Sequence, residues 1–202
     1  MLLYIVRHGR TSWNVERRIQ GIVDIPLMEE GLLMAEKTGE ALKMVNFDLC
    51  ICSPLTRAVQ TAEKVLGKRK VPVIYDSRIQ EINFGEKEGK VFRDDEGNIL
   101  EESIEVFFED PLSFPRPEGG ENIPDVLERT REFWEELVSD PGKQDSTILI
   151  CSHGCAVRAL LQNIYGDPAN FWHGSVPPNC SVNLVSVEGG EARILEEDKV
   201  YW

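Results

Sequence analysis

The chain has 202 residues, 42% hydrophobic and 28% charged, which is ordinary globular material and enough for one sizeable α/β core. Its net charge of −13 excludes nucleic acid and anionic membrane surfaces as partners, because both select a basic footprint. No basic flank precedes the N-terminal apolar run and no run approaches the roughly 18 apolar residues of a membrane span, so a cytoplasmic protein is expected.

Leu2 to Val6 is an unbroken apolar run that predicts a short buried strand, and Arg7-His8-Gly9 arrives where it ends. In an open α/β sheet, ligands bind at the carboxyl ends of strands. A glycine after a histidine leaves the imidazole open on one side, and an arginine before it supplies a planar, permanently charged fork for phosphate. His8 is therefore a candidate nucleophile and Arg7 its phosphate clamp.

A charged segment from Val15 to Ile19 leads to the loop pair Gln20-Gly21. Glu29 to Val45 has apolar residues at helical spacing, acids early and lysines later, as the helix dipole prefers. Phe47 to Cys52 predicts a second strand. Ser53 as N-cap and Pro54 at the first helical position then predict a helix start, with Arg57 in the first turn as a second anion-binding group.

Val71 to Tyr75 predicts a third strand, followed by Ile79 to Gly89, where Glu81 lies between apolar neighbours before a glycine-containing loop. Such a setting desolvates a carboxyl group and suits it to donate a proton. Ile99 to Glu109 is a short helix candidate, and Pro111, Pro115 and Pro117 interrupt the residues after it. The segment predicts an excursion over the ligand end of the sheet, a lid within a single domain.

Ile123 to Val138 is a second long amphipathic helix, and Thr147 to Cys151 a fully apolar strand ending in Ser152-His153-Gly154. The opening pattern is thus repeated: strand, histidine, glycine, then a helix from Cys155 to Tyr165. Ser181 to Val187, Gly189-Gly190 and Ala192 to Leu195 predict a closing hairpin.

Several chemistries fail on these residues. There is no Gly-x-x-x-x-Gly-Lys-Ser/Thr, and the Cys–Arg spacing of a cysteine phosphatase is met neither by Cys151 and Arg158 nor by Cys52 and Arg57. The three histidines lack the local spacing of a zinc site, so no metal is expected. The five cysteines, an odd number set largely in apolar runs, predict reduced thiols rather than a disulfide frame. Cys155 has no base beside it in sequence to make it a nucleophile.

Two histidines, two arginines and one carboxyl group at or near strand ends fit phosphoryl transfer. One imidazole attacks phosphorus, the cations balance the equatorial oxygens, and the acid protonates the departing alkoxide. The chain resembles the histidine phosphatase superfamily, specifically its phosphoglycerate mutase-like group. The resemblance rests on Arg7-His8-Gly9 with Thr11 and Asn14; on Gln20-Gly21 with Asp24, Pro26-Leu27 and Gly31; and on Ser53-Pro54-Leu55 with Arg57, Thr61 and Ala62. It continues in Glu81 with Gly85 and Glu88-Gly89, in Gly119-Gly120-Glu121, and in Ser152-His153-Gly154.

The resemblance implies a three-layer α/β fold, a mostly parallel sheet with helices on both faces and a lid-like insertion at about 85–121 in one domain spanning 1–202. It implies His8 as the residue that becomes phosphohistidine, with Arg7, Arg57, His153 and Asn14 around the phosphate, Glu81 as general acid and base, and Gln20 and Gly21 bordering the substrate. Arg10 stands where many relatives place an acid, and Cys155 where a small residue is common. The relatives that are mutases carry a longer, more basic insertion, whereas here Arg93 and Arg116 lie among Asp94, Asp95, Glu96, Glu101, Glu102 and Glu105. A metal-independent, cofactor-free phosphatase of a small phosphorylated metabolite, monomeric or homodimeric, is therefore expected. The alternatives are a cofactor-dependent phosphoglycerate mutase and a catalytically silent phosphoester-binding protein.

Overall fold

A computed structural model describes residues 1–165, 167 and 170–202. Its sheet has six strands: β1 (Leu2–Arg7), β2 (Leu49–Cys52), β3 (Val73–Tyr75), β4 (Thr147–Ser152), β5 (Val182–Glu188) and β6 (Glu191–Lys199), in the order β3-β2-β4-β1-β5-β6. The pairs β1/β4, β2/β4 and β2/β3 are parallel, whereas β5 is antiparallel to both of its neighbours, so the sheet is mixed at one edge.

The helices are α1 (Ser12–Val15), α2 (Glu29–Ala41), α3 (Thr56–Leu66), α4 (Glu102–Glu109), α5 (Ile123–Ser139) and α6 (Gly154–Leu161). Strand side chains alternate between faces, and the two faces recruit different helices. Leu3, Ile5, Ile148 and Ile150 pack with Phe133 of α5 and Leu160 of α6. On the other face Val6, Leu149 and Cys151 meet Ala58, Ala62 and Val65 of α3, over which α2 packs. The three layers anticipated from the sequence are present. Among the described residues no helix is long and apolar enough to cross a membrane, and all five cysteines are buried and unbridged.

Several boundaries differ from the sequence reading. Helix α3 begins at Thr56 with Leu55 as N-cap and no side-chain cap bond, so Ser53 is not the cap. Its hydroxyl meets the ring of His153 instead. Helix α2 stops at Ala41 rather than Val45, α4 starts at Glu102 rather than Ile99, and α6 runs from Gly154 to Leu161 rather than to Tyr165. Strand β3 is shorter than expected, with all three side chains exposed at the sheet edge. Strand β6 extends to Lys199, well past Leu195, because its alternation is mostly polar and leaves little apolar signal. The hairpin turn falls on Gly189-Gly190, whose φ values of 58° and 85° are backbone states that only glycine adopts freely. The unanticipated α1 is one turn long, held by a capping box in which Thr11 and Asn14 exchange side-chain bonds with each other's backbone N–H.

Candidate active site

Strands β1 and β4 are parallel and in register, Arg7 opposite Ser152, so the residues that follow them emerge side by side. The imidazole centroids of His8 and His153 are 5.1 Å apart. Strand β2 lies next to β4, with Cys52 opposite Cys151, and Ser53 emerges beside the pair. Sequence spacing set the strand ends; register brought the three side chains together.

Hydrogen bonds fix the tautomers. His8 Nδ1–H donates to the Gly9 carbonyl at 2.7 Å, which leaves the lone pair on Nε2. His153 Nδ1 accepts from Arg57 Nε–H at 3.2 Å, so its proton sits on Nε2, which donates to Ser53 Oγ at 2.7 Å. Both rings are therefore neutral at rest. Electrostatics agrees: burial pushes both imidazoles well below the usual histidine value, and the Arg57 guanidinium pushes each further down.

Arg57 is fully buried and anchored by carbonyls, Nη1 donating to Val23 at 3.0 Å and Nη2 to Gly21 at 2.5 Å. Burial pushes its pKa down to about 10, and it stays cationic at neutral pH. Thr61, one turn along α3, donates to the Arg57 carbonyl at 2.7 Å and accepts from Gly9 N–H at 3.0 Å, tying α3 to the His8 turn. Arg7 donates through Nη1 to the Pro177 carbonyl, while its Nε is buried without a partner.

Glu81 follows a turn of 3₁₀ helix at Ser77–Ile79 and is 8% exposed. Its carboxylate accepts from Ile82 N–H at 3.0 Å and from the first N–H groups of α6, Cys155 at 3.1 Å and Ala156 at 3.3 Å. A helix N-terminus is a natural seat for a carboxylate. At Gly154 a Cβ would crowd Val176 Cγ1 at 2.8 Å and would lie in ordinary contact, at 3.5 Å, with both Arg7 Nε and Glu81 Oε2. From α5, Arg129 donates to the carbonyls of Arg78 (2.7 Å), Gln80 (2.9 Å) and Glu81 (3.1 Å), locking the segment that carries the acid.

Asn14 and Gln20 line a cleft of about 310 Å³ together with Arg7 and Glu81. Gln20 accepts from Thr11 Oγ1 at 2.6 Å, and its Nε2 is buried without a partner. Gly21 does not line the cleft; its carbonyl holds Arg57. His8, 2% exposed, is likewise absent from the lining residues.

Sequence reasoning missed Ser53 as the partner of His153. It named Glu88 in the motif but gave it no role: Glu88 accepts from the N–H groups of Ile22 (2.9 Å) and Val23 (2.7 Å) and so shapes the loop that holds Arg57. It also missed Asn179, whose Nδ2 donates to the carbonyls of His8 (3.1 Å) and Gly9 (3.3 Å) and to Asn14 Oδ1 (3.2 Å). Pro177-Pro178-Asn179 carries a turn signal, but nothing local says what the turn embraces. Of the two arginines singled out within 85–121, Arg116 pairs with Asp125 and Arg93 packs against Phe92; neither lines the cleft. Arg10 pairs with Glu30 at 2.7 Å, away from the cleft lining, and Cys155 lines the cleft.

The neutral, buried histidines imply a pH dependence of stability. Unfolded, both imidazoles take up protons as pH falls through about 6.5; folded, they do so only at lower pH. Below about 6.5 the unfolded chain binds more protons, so stability decreases as pH falls. The urea midpoint is expected to drop between about pH 7 and about pH 5, and the drop to shrink in a His8→Asn/His153→Asn double variant. Equal drops in the two proteins would place the acid sensitivity elsewhere.

The sequence profile of the histidine phosphatase superfamily (branch 1) matches residues 3–198. An Erwinia tasmaniensis protein named "Probable phosphoglycerate mutase GpmB" is 34% identical over 183 residues, 91% of this chain and 83% of that one. The solved structure of Bacillus stearothermophilus YhfR superposes with a TM-score of 0.88 at 33% identity, covering 98% of this chain and 97% of that one. A mycobacterial glucosyl-3-phosphoglycerate phosphatase in complex with VO3 superposes with a TM-score of 0.79 at 27% identity, covering 99% and 98%.

Proposed function

The chain belongs to the histidine phosphatase superfamily, and from that premise we propose that it hydrolyses small phosphomonoesters through a phosphohistidine on His8, with no metal or organic cofactor. The observation that carries the reading is the convergence of two neutral imidazoles, two guanidiniums and a carboxyl group, with two buried donors, Arg7 Nε and Gln20 Nε2, that have no acceptor among the described residues. A buried donor without a partner is rare and unfavourable. A phosphate oxygen supplies what each lacks.

In the first half-reaction the lone pair on His8 Nε2 forms a bond to phosphorus while the ester P–O bond breaks. The leaving oxygen takes the proton of the Glu81 carboxyl group, which enters this step as the acid and leaves it as the carboxylate. Arg7 and Arg57 offset the charge on the equatorial oxygens, and His153 stays neutral beside His8, held between Arg57 Nε–H and Ser53 Oγ. Asn14 and Gln20 contact the phosphate or the first atoms of the leaving group. In the second half-reaction water attacks phosphorus, Glu81 takes its proton, the P–N bond breaks, and phosphate departs. Residues 85–121 act as a specificity lid on a single catalytic domain spanning 1–202, and the protein works in the cytoplasm.

A mutase reading is favoured by the 34% identity to the Erwinia protein. It uses the same phosphoenzyme but returns the phosphoryl group to substrate. The two are separated by mixing the enzyme with radiolabelled substrate and quenching. Hydrolysis predicts an acid-labile, alkali-stable phosphoenzyme that decays to inorganic phosphate. Conversion of 3- to 2-phosphoglycerate, stimulated by the bisphosphate and faster than phosphate release, would replace it with the mutase reading.

A further inference from the structure

We propose that the leaving group this enzyme accepts is an uncharged aromatic alcohol, held against an aromatic wall that continues directly from the phosphate end of the cleft; the turnover arm of this proposal rests on the phosphatase reading. The cleft lining is of two kinds: the polar groups Arg7, Asn14, Gln20 and Glu81, and the rings of Phe84, Phe92, Phe107, Phe108 and Trp172, which pack against one another as a continuous cluster. These rings come from three separate stretches, the loop around residues 84–92, helix α4 and the segment after α6.

Phe107 is the centre of the wall. Its ring lies 5.1 Å from Phe84, 5.3 Å from Phe108 and 5.1 Å from Trp172, all edge to face at about 70°. That is the preferred geometry for aromatic pairs. Trp172 Nε1–H donates to the Phe107 carbonyl at 3.1 Å, so the indole is pinned to the helix it packs on. The wall is thus preorganised, and a flat ring entering the cleft meets faces and edges already in place.

Charge argues the same way. Among the described residues the cations lining the cleft are Arg7 and Arg18. Arg7 belongs to the phosphate end, and Arg18 is engaged, Nε with Glu16 at 2.6 Å and Nη1 with the Gly89 carbonyl at 2.7 Å. A leaving group bearing a carboxylate, such as glycerate, would therefore be desolvated against phenyl rings in a chain of net charge −13. A cleft of about 310 Å³ suits a small ring system rather than a polymer or a nucleotide chain.

The test compares benzyl phosphate with ethyl phosphate, two alkyl esters whose alcohols are of similar acidity, so that a difference reports the ring and not the chemistry. The expected result is a kcat/KM at least about tenfold higher for benzyl than for ethyl phosphate, with 3-phosphoglycerate lowest. In Phe108→Ala the benzyl-to-ethyl ratio falls about fivefold or more, and Phe108→Leu restores part of it; Phe92→Ala serves if that protein does not fold. A wild-type preference for 3-phosphoglycerate or ethyl phosphate, or a ratio indifferent to both rim phenylalanines, overturns the proposal. A second arm needs no turnover: calorimetric titration of His8→Ala with each ester. Tighter binding of benzyl phosphate sustains the aromatic subsite even if the wild type hydrolyses nothing, whereas equal affinities overturn it.

Discussion

His8→Ala is expected to lower kcat/KM for 4-nitrophenyl phosphate by at least about 10³-fold, the scale seen when a covalent nucleophile is removed. The size of the loss follows from the absence of a substitute. His153 is the other imidazole at the site, but one of its nitrogens accepts from Arg57 and the other donates to Ser53, so it presents no lone pair to phosphorus. The cysteines nearest in chemistry are no better placed, since burial pushes the Cys155 thiol well above its ordinary value and the Glu81 carboxylate adds to it. The variant should fold, because the bonds that position residue 8 are made by its backbone: N–H to the Ser152 carbonyl at 2.9 Å, and its own carbonyl to Asn179 at 3.1 Å. Steady-state kinetics with circular dichroism as a control measure the effect. Activity retained within tenfold, in a folded protein, would remove His8 from the mechanism.

Glu81→Gln is expected to lower kcat by about 10²- to 10⁴-fold for alkyl phosphates, the usual range for loss of a general acid. The amide keeps the shape of the carboxylate and can still accept from Cys155 N–H, so the loss is one of proton transfer and not of the seat on α6. The discriminating feature is dependence on the leaving group. A 4-nitrophenolate departs without help, so its ester should lose far less than an alkyl ester. Equal losses for both would mean that Glu81 only holds the α6 N-terminus in place.

The family membership frames these expectations, but the chemistry is argued from side chains that a profile does not see. The two histidines are recognisable by motif, whereas their charge state comes from burial and from Arg57 standing between them. The acidic lid suggested that highly anionic substrates would be disfavoured. In the folded chain Arg93 and Arg116 do not line the cleft, whereas several aromatic rings do.

What the sequence by itself determined is whatever is encoded over a few consecutive residues. The apolar runs of β1, β2 and β4, the histidine-glycine pairs that close two of them, the amphipathic periods of α2, α3 and α5 and the double glycine of the last hairpin are all local patterns, and each is where it was expected to within a few residues. What only the tertiary structure decided is which side chains become partners. Ser53 carries every mark of an N-cap yet meets the ring of His153, a hundred residues on. Glu81 finds its donors on a helix 74 residues away, and Asn179 grips a turn at the other end of the chain. The aromatic wall is drawn from three stretches, none of which is aromatic enough alone to announce a pocket. Local periodicity fixes which face of an element is apolar, but strand register and helix packing fix what that face meets, and neither leaves a trace in neighbouring residues.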